Sequence, residues 1–136
     1  MVKSFYLAGK VLGNDAIGVL KEFSEELERR GHTNICPWWD MKDVTKPYLE
    51  HIKENAPLAV EMLRAATAAE IFALFAHPEL LGASTEFGMA LASSEVELDK
   101  RIYVIGAMAT RQSVFYTHPR VENVISHTEL RDAEWY

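Results

Sequence analysis

The segment Gly82-Ala83-Ser84-Thr85-Glu86-Phe87-Gly88 holds the residue best suited to covalent chemistry. It follows the apolar run 71–76 (IFALFA) and opens a helical pattern expected from about Ser84. That places Glu86 in a first helical turn, where the macrodipole favours an ionised carboxylate. Such a group can attack an electrophilic sugar carbon. Gly82 and Gly88 would let a ligand or the backbone approach closely. The simpler alternative is that acidic residues are enriched in first turns for the dipole alone. The segment is not a capping box, because Phe87, not Glu or Gln, stands three residues after Ser84.

Other residues supply candidates of different kinds. The stretch Tyr6-Leu7-Ala8-Gly9-Lys10 lacks both the G-x-G-x-x-G and the Walker A pattern. Tyr6 is either an ordinary sheet residue or a hydroxyl that orients a carboxylate. Trp38 and Trp39 would point opposite ways on an extended backbone. One is expected in the core, and the other stacks a nucleobase or lies at a surface or interface. His32, His51, His77, His118 and His127 show no metal-ligand spacing, so neither metal nor other cofactor is expected. Ser84, Ser93, Ser94 and Ser113 lack a G-x-S-x-G elbow, which disfavours a serine hydrolase.

These residues must be positioned by one domain spanning residues 1–136, a length typical of a single core. The apolar fraction of 49% and charged fraction of 25% are those of a globular protein. The net charge of −6, with only short basic pairs such as Arg29-Arg30, disfavours a nucleic-acid polymer as partner. Single nucleotides stay possible through backbone N–H groups. Cys36, the only cysteine, reads as a buried thiol in a reducing compartment. With no signal-peptide pattern at the start and no membrane-length apolar run, the cytoplasm is the expected location.

Apolar runs alternate with helical patterns, which predicts βα units and a parallel sheet. Strands are expected at 3–8, 33–36, 71–76, 102–105 and 123–126. Asp15 can cap a helix with Ile17, Leu20, Phe23 and Leu27 on one face, ended by Gly31. Pro47 fits the first turn of a helix through Lys53, and Pro57 should break the pattern so that a second helix restarts there and runs to about Ala68. The right-handed crossover rule then favours an open doubly wound sheet. Its ligand crevice would lie in the loops at 8–14, 77–86 and 106–115.

Taken together, Phe5-Tyr6-Leu7-Ala8-Gly9, Ala69-Glu70-Ile71-Phe72-Ala73-Leu74, Gly82 to Ala90 (GASTEFGMA) and Lys100-Arg101-Ile102-Tyr103-Val104-Ile105-Gly106 resemble the nucleoside 2-deoxyribosyltransferase family, including its nucleoside-monophosphate N-glycosidase relatives. The resemblance covers most of the chain. It implies a flavodoxin-like, five-stranded parallel sheet in three α/β/α layers. It also implies that Glu86 is the nucleophile taking the deoxyribosyl group, that Tyr6 steadies it, and that Ser113 completes a neighbouring subunit's site near the sugar 5′ position. The family usually has aspartate where this chain has Glu70, and often another in the loop where this chain has Glu79-Leu80. Its base-exchanging members use a further acid on the helix before the third strand, for which Glu61 is the nearest candidate.

The expected catalytic residues are therefore Glu86, Tyr6 and Glu61. The expected substrate-binding residues are Gly9, Asn14, Trp38, Asp40, Gly82, Ser84 and Ser113. Thr110, Arg111 and Gln112 are further candidates for the sugar 5′ end. The expected partners are a nucleoside or nucleotide, a purine or pyrimidine base, and further copies of the chain in a homo-oligomer. Two rivals are a non-enzymatic nucleotide-binding or sensor domain on the same fold and an NAD-cleaving domain.

Overall fold

Short apolar strands connected by amphipathic helices can bury both kinds of element only by layering. In the computed structural model, which describes residues 2–10, 14–41, 47–106 and 113–136, they do so around one parallel sheet. The elements in chain order are β1 (Ser4–Ala8), α1 (Asn14–Arg29), β2 (Thr33–Asn34), α2 (Ile52–Ala68), β3 (Ile71–Phe75), α3 (Gly82–Ser94), β4 (Arg101–Ile105) and β5 (Val121–Val124). The sheet order is β2-β1-β3-β4-β5, all parallel. This is the flavodoxin-like doubly wound order, whose direction of winding reverses between β1 and β3.

The register sorts the two faces. Tyr6 pairs with Phe72 and Phe72 with Ile102, so these side chains share one face. There Phe72 stacks on Phe87 of α3, with centroids 6.3 Å apart. On the other face Phe75 meets Phe23 of α1 at 6.2 Å. Leu20, Phe23 and Leu27 of α1 are buried, as their spacing requires, and Gly31 ends the segment at a φ of +94°. Trp135 covers the same face over β4, its indole N–H donating to the Tyr103 hydroxyl at 2.7 Å.

Five placements differ from expectation, each for a local reason. β2 stops at Asn34 rather than reaching Cys36, because Pro37 turns the chain into the 3-10 turn Trp38–Asp40. A 3-10 turn occupies Tyr48–His51, and α2 then runs without a break through Pro57. Pro57 is exposed and removes only the N–H that would bond the Lys53 carbonyl, which water can reach. The last strand sits at 121–124 rather than 123–126, because Ser126 begins a 3-10 turn. Its side chain and that of Glu129 form a reciprocal capping box. Trp38 and Trp39 lie in a 3-10 turn, not on an extended backbone, and their rings touch at 5.3 Å. Finally, α3 starts at Gly82, so Glu86 is its fifth residue and belongs to the second turn.

Candidate active site

Glu86 and Tyr6 meet across the winding reversal. Tyr6 sits in the middle of β1, fully buried, and its phenol donates a hydrogen bond to Glu86 Oε1. Glu86 is only 5% exposed. Burial pushes its carboxyl up to about 7, opposed by the Tyr6 hydrogen bond, which favours the ionised form. Glu86 thus lies one turn inside α3 and not in the expected first turn, and there desolvation outweighs the dipole's preference for the carboxylate. Burial and the neighbouring carboxylate raise the Tyr6 hydroxyl well above its ordinary range, so it remains a donor. A carboxylate poised near neutrality and steered by a fixed donor can act as a nucleophile or exchange a proton.

Cys36 joins this cluster, which its place in the sequence did not reveal. The thiol is buried 3.6 Å from the Met41 sulfur. Its ionisation is pushed up to about 11, first by burial and then by the charges of Glu61 and Glu86. Cys36 thus feels both acids. Glu61 itself is exposed on α2.

The remaining candidates divide. Trp38 is 3% exposed and donates its indole N–H to the Leu7 carbonyl at 2.7 Å. It is the core member of the tryptophan pair and offers a ligand almost no ring surface, whereas Trp39 is half-buried. Asp40 is exposed beside it. At Gly9 a Cβ would come within 3.3 Å of Leu20, so the missing side chain serves the packing of α1. A Cβ on Gly82 would meet nothing within 4 Å. Asn14 opens α1, but its side chain, like Thr110, Arg111 and Gln112, lies outside the described residues. At the mouth of the crevice, Lys10 Nζ pairs with Glu79 Oε2 at 2.8 Å, linking the loops that leave β1 and β3.

Ser113 is elsewhere. Its hydroxyl accepts from the Phe115 N–H and caps the 3-10 turn Val114–Thr117. It lines an apolar groove of about 370 Å³ with Ser84, Gly88, Leu91, Ala92 and Phe115. On a helix of 3.6 residues per turn, the α3 residues of this groove project from the side opposite Glu86. Within one chain, then, Ser84, Gly88 and Ser113 come together, and Glu86 faces away from them. A larger cleft of about 550 Å³ lies at the amino end of the sheet, lined by charged residues including Lys100, Arg101 and Arg120. It is at the wrong end of the strands for a doubly wound ligand site.

Among the described residues, no group of three or more His, Cys, Asp or Glu side chains could hold a metal ion. No helix among them is long and apolar enough to cross a membrane. No protein-family model matches the chain, and no curated protein matches it significantly in sequence.

Proposed function

We propose that this chain is a nucleoside 2-deoxyribosyltransferase or a deoxynucleoside N-glycosidase, working through a covalent glycosyl-Glu86 intermediate. The observation that carries the reading is the buried Tyr6–Glu86 pair at the winding reversal of the sheet. The four segments resembling that family support it independently.

In this mechanism the Glu86 carboxylate attacks C1′ of the deoxyribose. The C1′–N bond breaks, its electron pair goes to the base, and an acid beside the base supplies the proton. The oxygen that accepts from Tyr6 stays anchored while the other bonds to carbon. A second base, or water, then attacks C1′ from the vacated side and releases the carboxylate. Two inversions give net retention. Glu61, on the helix before the third strand as in the base-exchanging members the chain resembles, is the candidate base-side acid. The reading places the enzyme in cytoplasmic nucleotide salvage as a homo-oligomer.

The test is incubation with deoxynucleosides and their 5′-monophosphates, with and without a free acceptor base, followed by chromatography. Release or exchange of base by the wild type, abolished by Glu86→Gln, is the expected result. Nicotinamide release from NAD without any deoxynucleoside cleavage would transfer the pair to the NAD-cleaving reading. Ligand binding with no turnover of any substrate would favour a sensor.

A further inference from the structure

We propose that Trp38 is a positioning residue for the Tyr6–Glu86 pair: its indole N–H supplies the inter-strand hydrogen bond that Pro37 cannot make, and so holds the β2 side of β1 next to Tyr6, as the β3 ladder holds the other side. This inference rests on the active-site reading above and deepens it.

The parallel ladder between β1 and β2 sets the pattern. Thr33 N–H donates to the Lys3 carbonyl at 3.0 Å, and Ile35 N–H to the Phe5 carbonyl at 3.1 Å. A parallel ladder advances two residues at a time, so the next rung is residue 37 to Leu7. Residue 37 is proline and has no N–H. The chain turns out of the sheet there into the 3-10 turn Trp38–Asp40. The Trp38 Nε1 proton comes back at 2.7 Å to the Leu7 carbonyl and completes the rung.

That rung matters because of what precedes it. Tyr6 is fully buried and reaches from the strand to α3, so its hydroxyl sits at the end of a long lever. A strand tilt of about 10° would move the phenol oxygen by roughly 1 Å, beyond the tolerance of a catalytic constellation. Cys36, immediately before Pro37, is held by its N–H to the Asn34 side chain at 3.0 Å and packs in the same cluster. Among the described residues, Cys36 is the further ionisable group whose charge acts on Tyr6, and its N–H goes to Asn34 rather than to Leu7.

The experiment replaces Trp38 with 3-benzothienylalanine, which keeps the bicyclic shape and lacks only the N–H. Trp38→Phe serves as a second, genetically encoded variant. Two readouts are taken. The Glu86 carboxyl is titrated by carbon NMR in the substrate-free protein, and kcat and KM are measured on a cleaved deoxynucleoside. The expected result is a Glu86 midpoint moved to higher pH, because a slackened Tyr6 bond no longer favours the carboxylate. With it should come a loss in kcat of about tenfold at a KM within about twofold of wild type. An unmoved midpoint in the benzothienylalanine protein overturns the proposal. So does a raised KM at unchanged kcat, which would make Trp38 a substrate contact. The titration needs no substrate. A wild type that cleaves nothing therefore sinks the enzymatic reading while leaving the positioning inference to its own result.

Discussion

Glu86 is held in a state that costs the fold something. Its folded value near 7 lies above the ordinary 4.5, so the native state binds the proton more tightly than the unfolded chain. The associated stability is full below about pH 4.5 and is lost as pH rises through about 7. Glu86→Gln keeps an acceptor for Tyr6 and removes the charge. It should leave stability nearly unchanged at pH 5 and raise it at pH 8 by on the order of 1–3 kcal/mol, read by urea denaturation at both pH values. The same group sets the rate in the opposite sense. Only the carboxylate attacks carbon, so turnover should fall on the acid side with a midpoint near 7. Glu86→Ala should lose at least roughly a thousandfold in kcat while remaining folded, and a folded variant with most of its activity would refute the nucleophile assignment. Tyr6→Phe should lower kcat and move the acid limb upward, since the hydrogen bond it removes favours ionisation. At this scale the sequence was informative about Glu86 and Tyr6 because their neighbours are distinctive. Cys36 was legible as a buried thiol, but its place beside Tyr6 follows from β2 lying next to β1, a property of sheet order rather than of spacing.

At the scale of elements, periodicity located the strands and helices well, and their ends poorly. The continuous apolar runs of β1, β3 and β4 are legible because both faces of these strands are covered. The failures involve single residues whose cost depends on context. Pro57 was expected to end a helix, yet α2 accommodates it on its exposed side. Much of α2's stability comes from docking: Leu58, Ala65 and Ala66 are buried. The Lys100 ammonium also binds the carbonyls of Ala66, Thr67 and Ala69 at 2.7–2.9 Å, satisfying the end of the helix. Pro57→Ala restores one hydrogen bond, offset in part by a more flexible unfolded chain, and should stabilise by about 1 kcal/mol in urea denaturation. Lys100→Met strands three carbonyls and should cost about 2–4 kcal/mol by the same measurement. A neutral effect would show that water replaces the ammonium.

For the whole molecule, the decisive feature is that one α3 serves two separate surfaces. Glu86 faces Tyr6 and the sheet, while Ser84, Gly88 and Ser113 line a groove on the helix's other side. Phe115, 63% exposed, lines that groove, and Val114 before it is exposed as well, an apolar surface of the kind that copies of a chain bury against one another. Ser84 and Gly88 stand two residues either side of Glu86 and so lie opposite it on any helix, but that Ser113 joins their side depends on how the turn Val114–Thr117 packs on α3, which spacing does not show. If Ser113 serves the sugar's 5′ end, as the family resemblance implies, it must serve the site of a neighbouring copy. Light scattering should then give at least a dimer mass, and Phe115→Glu should lower both mass and activity. Mixing gives the sharper test. Glu86→Gln and Ser113→Ala proteins, each impaired alone, are unfolded together and refolded. In a two-fold dimer with shared sites, half of the random pairs are mixed, and each mixed pair holds one site with both residues intact. Activity should recover to about a quarter of wild type. No recovery beyond the sum of the two parents, from a mixture shown by mass spectrometry to contain mixed dimers, would place Ser113 outside the neighbour's site.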